Sequence, residues 1–218
     1  MAVEPALEDL DSPNIESLTF DALIGPKARL AEQVHDYLKS IKLWSGVKGK
    51  EPSVLKDQPP IFICVHENIV ERRPDLADID PWGFCLRRTD AWGFSDRRWR
   101  YIFLCPRFWD EGHEVEPPKD RPASEACPRF EDNMYIDEDG DRLASFQKYL
   151  IIHEALHMYM PDGGLHSDSD PKEVYALNEC MHLEKEVNRL RNPNNIVYYV
   201  ASASLGQRIL SKTLMTSQ

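Results

Sequence analysis

The sequence predicts an α+β fold, and three observations carry that expectation. Apolar residues recur at helical spacing early in the chain, two short β-branched and aromatic runs follow, and a long apolar helix pattern comes after them. The expected order is an N-terminal helix, a small twisted sheet, a central helix and a C-terminal helical part. All of it falls in a single domain at 17–218, preceded by a flexible acidic arm at 1–16.

The arm is expected because residues 1–21 hold six acids and no base, with Pro5 and Pro13 among them. Such a balance favours solvation over burial. Leu23, Leu30, Val34, Leu38 and Leu43 then fall on one helical face, which predicts an amphipathic helix from near Pro26 to before Gly46. Pro52, Pro59 and Pro60 predict a loop. The runs 61–65 and 101–105 predict two strands, the second closed by Pro106. Trp82-Gly83-Phe84 and Trp92-Gly93-Phe94 repeat at a spacing of ten and predict a hairpin-like unit, since two copies cannot stack into a solenoid.

Residues 109–141 hold twelve acids against three bases, with four prolines. A long acidic surface loop is expected there, and loops of that length are often functional. Its end, 137–141, resembles half a calcium loop without the closing glutamate. A helix-start turn with Asp141 as N-cap is the better reading.

Composition narrows the function classes. A chain of 218 residues, 42% hydrophobic and 29% charged, is that of an ordinary globular domain. The net charge of −11 argues against duplex nucleic acid and against anionic membrane surfaces as partners. No apolar run reaches the length of a membrane span. Residues 1–20 lack the apolar run behind basic residues that a secretory signal needs. None of the five cysteines, Cys64, Cys85, Cys105, Cys127 and Cys180, forms a C-x-x-C pair, which disfavours a zinc ribbon or a thioredoxin-type site. Intracellular free thiols and a secreted protein with one or two disulfides both remain compatible with them. There is no Asn-x-Ser/Thr acceptor, a weak argument against glycosylated secretion.

The chemistry lies in the expected helix 142–160, which Pro161 ends and Gly163 and Gly164 follow. It contains His153-Glu154-Ala155-Leu156-His157, an H-E-x-x-H motif. Four residues make just over one helical turn, so His153 and His157 project from the same face. Each can supply one nitrogen to a zinc ion, while Glu154, rotated about 100° from His153, can reach the water that the ion would acidify. The competing reading is a hydrogen-bonded histidine pair in a buried helix. For a third ligand the chain offers His166, Asp168 and Asp170 just past the glycine turn, and Glu179 on a later helix. A glycine pair lets the chain reverse towards the metal. The metzincin continuation fails, with Met160 and Gly163 at its glycine and histidine positions.

From about residue 100 to 201 the chain resembles the deuterolysin and fungal lysine-specific metallo-endopeptidase (aspzincin) family. The resemblance is carried by Ile102-Phe103-Leu104-Cys105-Pro106 with Phe108, then the HExxH helix and the Gly-to-Asp segment. It continues through Val174-Tyr175-Ala176, Cys180 and the block 192–199. It implies a zincin-like metallopeptidase fold, a Zn2+ cofactor, a peptide or protein substrate, a monomer and secretion. It also implies a zinc site of two histidines and one aspartate, here His153, His157 and Asp168. Gly164-Leu165-His166-Ser167-Asp168 fits the family's Gly-x-x-x-Asp spacing, with Leu165 in place of threonine. Tyr175 matches the tyrosine that donates to the developing oxyanion, though it lies seven residues after Asp168 rather than three, and Ala176 replaces a glycine. Cys105 is implied to be disulfide-bonded, with Cys127 as a candidate partner. The family's lysine preference comes from acids near the cleft, a role the loop 109–141 could serve. The altered threonine context does not support carrying that preference over.

The expected function is therefore zinc-dependent endopeptidase activity with Glu154 as general base and Tyr175 assisting. A peptide would add as an extended strand between the sheet edge and the helix. The departures at Leu165 and Ala176 keep a second reading open, a zincin-like domain that binds metal or a partner without turning over peptide.

Overall fold

The computed structural model describes residues 3–12, 18–46, 60–88, 91–109, 135–136, 143–144, 147–175 and 177–204. The helices are α1 (Glu4–Asp11), α2 (Leu18–Leu23), α3 (Lys27–Gly46), α4 (Ile69–Arg72), α5 (Pro81–Arg87), α6 (Gln147–Tyr159), α7 (Leu177–Met181), α8 (Glu186–Arg191) and α9 (Pro193–Ser204). The strands are β1 (Ile61–Cys64), β2 (Gly93–Asp96), β3 (Tyr101–Leu104), β4 (Tyr135–Ile136) and β5 (Leu143–Ala144). The fold is mixed α+β and mostly helical, with one three-stranded sheet of order β1-β3-β2 and a separate β4-β5 pair. β1 runs parallel to β3, and β2 runs antiparallel to it with Ser95 opposite Ile102.

Side-chain alternation along β3 divides the interior in two. Ile102 and Leu104 enter the larger, helical core, while Phe103 joins Ile63, Val65, Ile69, Leu76, Cys85 and Cys105 on the other face. The helical core is built around α6 and α9, which pack on one another. Ile152, Ala155, Leu156 and Met158 are all buried on α6, so this helix is apolar nearly all round and runs through the interior. On α3, Val34, Leu38 and Ile41 are buried at successive helical spacings. Each such side chain stabilises the fold by about 1.5–3 kcal/mol relative to exposure.

Two expectations change. The segment expected as an acidic arm contains α1, with Val3, Ala6 and Leu7 buried against the helical core. Pro5 sits in its first turn, where a missing N–H leaves no bond unmade. The acids are accommodated individually: the buried Lys27 ammonium pairs with Asp9, and the Tyr199 hydroxyl donates to the Asp9 carboxylate at 2.6 Å. The Trp-Gly-Phe repeat is no hairpin, because its first copy lies in α5 and its second begins β2. Asp80 caps α5 by accepting from the Gly83 N–H at 3.1 Å, and Pro81 follows at the first helical position. A Cβ on Gly83 would stand 2.0 Å from the Asp80 carboxylate, so the glycine belongs to the cap.

The implied pairing of Cys105 with Cys127 is also corrected. Cys105 is bonded to Cys85, tying the end of β3 to α5, whereas Cys180 is a buried free thiol. Cys64 is disulfide-bonded as well. The acidic segment 110–134, Cys127, Asp141 and Ala176 lie outside the described residues. Among the described residues no helix is long and apolar enough to cross a membrane.

Candidate metal centre

Helix α6 brings His153 and His157 onto one face with both rings buried, their Nε2 atoms 3.2 Å apart. The chain then turns sharply. Pro161–Gly163 forms a single 3-10 turn, and Gly163 and Gly164 both take positive φ, a conformation that favours glycine. The following loop folds on itself: Ser169 Oγ accepts from the His166 N–H and donates to a backbone carbonyl, and the Glu173 N–H donates to the His166 carbonyl at 3.0 Å. That last bond returns Glu173 to α6. Its Oε1 stands 3.2 Å from His153 Nε2 and 3.7 Å from His157 Nε2.

His153, His157 and Glu173 form a buried cluster that could hold a metal ion. The spacing fits, since two atoms bonded to one tetrahedral ion at ~2.0–2.1 Å stand about 3.3 Å apart. Hydrogen bonding on the outer side of the rings points the same way. His157 Nδ1 donates to the Gly163 carbonyl at 2.6 Å. His153 Nδ1 meets Asn194 Oδ1 at 3.1 Å, while the amide nitrogen of Asn194 donates to the Val174 carbonyl at 3.0 Å. Both rings therefore carry their proton on Nδ1 and turn a bare Nε2 lone pair inward. Two lone pairs and a carboxylate oxygen converge on one buried point, an arrangement able to hold a cation.

Burial sets the electrostatics. It lowers His153 to about 4 and His157 well below the usual imidazole range, so both are neutral, as ligation requires. It raises Glu173 to about 8 and Glu154 to about 7, Glu173 further because Glu154 is near. Glu154 lies 4.0 Å from His153 Nε2, outside the three-ligand cluster, and accepts a hydrogen bond from Ser95 on β2.

The sequence-predicted residues divide. His153, Glu154, His157 and Tyr175 come together: the Tyr175 hydroxyl donates to Glu173 Oε2 at 2.8 Å, and its ring lies against His153. Asp168 and Asp170 are exposed on the loop, and Glu179 is exposed on α7. His166 stacks on the His157 ring at 4.6 Å between centroids, yet neither it nor Asp168 belongs to the cluster. Sequence reasoning missed Glu173, Ser95 and Asn194. Glu173 lies two residues before Tyr175, so a carboxylate search anchored on the tyrosine rather than on the glycine pair would have reached it.

The block 192–199 supports the site from behind. Asn192 exchanges two hydrogen bonds with the Val174 backbone, holding the segment that follows Glu173. Asn195 donates to the Leu23 and Cys180 carbonyls, and Tyr198 donates to the Tyr175 carbonyl.

Fold and site together define a mostly helical α+β domain with a buried two-histidine, one-glutamate cluster able to hold a metal ion. Comparison with known proteins found no match, whether to a family model, to a curated protein or to a solved structure.

Proposed function

We propose that this protein is a zinc-dependent metalloendopeptidase of zincin-like fold, with His153, His157 and Glu173 as metal ligands. The observation that carries the reading is the convergence of two bare imidazole nitrogens and one carboxylate beside a second, separately held carboxylate, Glu154. A Zn2+ ion held there supplies a Lewis acid that polarises a peptide carbonyl and acidifies a water molecule. Glu154 accepts the proton of the attacking water and hands it to the leaving amine, a role matched by its buried place beside the cluster. Ser95 donates a hydrogen bond to the Glu154 carboxylate and so helps to orient it towards the attacking water. Tyr175, resting on Glu173, is the neutral donor for the oxygen that gains charge. Among the described residues β2 pairs only with β3, so its outer edge is the surface along which an extended peptide would lie.

The aspzincin resemblance is kept as part of this proposal, with a glutamate doing what aspartate does in that family. A second reading, a metal-binding domain without turnover, is favoured by one detail, the engagement of the Tyr175 hydroxyl with a ligand carboxylate. Zinc analysis and a peptide assay separate the two. About one zinc per chain is expected, together with chelator-sensitive hydrolysis. Glu154→Gln should keep the zinc and lower kcat by about 10²–10⁴-fold. Zinc without hydrolysis in the wild type would establish the second reading, and a folded protein that cannot be loaded with zinc would remove both.

A further inference from the structure

Arg97 is the first residue after β2, two positions beyond the Ser95 that holds Glu154. Its Cδ lies 3.3 Å from where a Cβ on Gly163 would stand, and the Gly163 carbonyl anchors His157. Among the described residues Arg97 makes no ion pair or hydrogen bond, although the chain is strongly acidic. Arg88 approaches the same centre through the loop that returns Glu173, its guanidinium donating to the Ser167 hydroxyl at 2.8 Å. The exposed Asp162, Asp168 and Asp170 of the intervening loop form no ion pair with either arginine among the described residues. The carboxylates closest to the centre, Glu154 and Glu173, are buried and engaged.

We infer that this site prefers peptides carrying aspartate or glutamate within two residues of the scissile bond, with Arg97 and Arg88 as the specificity-determining cations. The inference rests on the peptidase reading and reverses the charge preference of the family the sequence resembles. A strand advances about 3.3 Å per residue, so a peptide lying along β2 with its reacting bond beside Ser95 passes Arg97 about two residues further on. Arg97, without an ion pair or hydrogen bond among the described residues, can offer a carboxylate paired N–H donors, while Arg88, held by Ser167 and lying over the Phe84 ring, adds positive charge nearby. Lysine or arginine at the same place meets like charge, which penalises the wrong partner.

The test uses two peptide series, identical except for glutamate or lysine at the positions flanking one bond. Binding is measured by fluorescence anisotropy to the zinc-loaded full chain carrying Glu154→Gln, so that charge preference is read without turnover, and cleavage is measured with the wild type. The glutamate series is expected to bind about tenfold more tightly than the lysine series at low salt, with the difference shrinking as salt rises. Arg97→Glu should abolish or invert the preference, Arg97→Lys should retain most of it, and Arg88→Glu should weaken it. Arg98→Glu is the control, because that side chain lines a separate hollow with Asp75, Asp78 and Trp99, and it should leave the preference in place. Equal binding of the two series, tighter binding of lysine peptides, or a preference that survives Arg97→Glu with Arg88→Glu would overturn the inference. Absence of cleavage by the wild type with the binding preference intact would instead count against the peptidase reading.

Discussion

Helix α6 and the loop 161–175 build the same centre by opposite means. On α6 the backbone hydrogen bonds of a regular helix set the spacing, and a four-residue separation alone aligns His153 with His157. In the loop almost nothing is regular. Glu173 reaches the centre because Gly163 and Gly164 adopt positive φ, because its own N–H finds the His166 carbonyl, and because Asn192, at the end of α8, clamps Val174. The comparison teaches that the two histidines depend on local periodicity, whereas the glutamate depends on a network drawn from three parts of the chain. The helix half should therefore tolerate outside changes that the loop half does not.

The sharpest test of this difference exchanges carboxylates within the loop. Glu173→Ala should weaken zinc binding by more than about 100-fold, beyond the effect of an outer partner, while Asp168→Ala should leave it unchanged. Zinc competition titrations on the two variants measure this directly. The reverse pattern would restore the aspartate that the sequence suggested.

Next in size is Asn194, which touches both halves: its Oδ1 meets His153 and its amide nitrogen approaches Glu173 Oε1 at 3.4 Å. Asn194→Ala is expected to lower zinc affinity by about 10–100-fold with little change in helix content. Unchanged affinity would mean that packing alone orients the His153 ring.

Gly163→Ala should act on the loop half first. The residue has φ +82°, and an added Cβ would meet His166 Nε2 at 2.7 Å. A destabilisation of about 1–3 kcal/mol is expected, read by chemical denaturation, with His157 losing its fixed carbonyl partner. A neutral substitution would show that the turn can relax without disturbing the centre.

The smallest effect is a pH dependence of the metal-free protein. Glu154 and Glu173 are raised above 4.5, to about 7 and about 8, so their contribution to stability is full below 4.5 and is lost as pH rises through those values. His153 and His157 are lowered below 6.5, so theirs is full above 6.5 and is lost as pH falls, for His153 through about 4. Between 4.5 and 6.5 the two trends offset, and from 6.5 to 8 the glutamates act alone. Chelator-treated protein should therefore lose stability from pH 6.5 to 8, with a slope of at most about 1.4 kcal/mol per pH unit for each proton involved. Zinc, by stabilising the ionised Glu173, should flatten the slope in thermal melts. A metal-free protein that gains stability over that interval would contradict the burial assigned to these carboxyls.

How much was legible follows the same division. The α3 stripe, the β1 and β3 runs and the α6 motif could be read because each is a short-range pattern. The helix α1 was not, because its acids mask a small apolar face of Val3, Ala6 and Leu7 that has meaning only against α9 and α3. The nature of α5 was hidden because Trp-Gly-Phe takes its conformation from the Asp80-Pro81 cap in front of it rather than from its own composition. Cys105 was expected in a disulfide, but its partner depends on which chain segment folds beside the end of β3, and α5 occupies that place.

By itself the sequence determined that a buried apolar helix would carry His153, Glu154 and His157 on adjoining faces, since helical geometry fixes that outcome wherever the segment is helical. It also determined the acidic balance and the glycine turn that ends the helix. Only the tertiary structure decided that Glu173 rather than Asp168 stands with the histidines. It also decided that Asn194 and Ser95 hold the working groups and that Arg88 and Arg97 flank them. The reason is physical: a loop carboxylate is placed by the hydrogen bonds that close the loop, and their partners lie at the end of α8, on α9 and across the turn, beyond the reach of any local pattern.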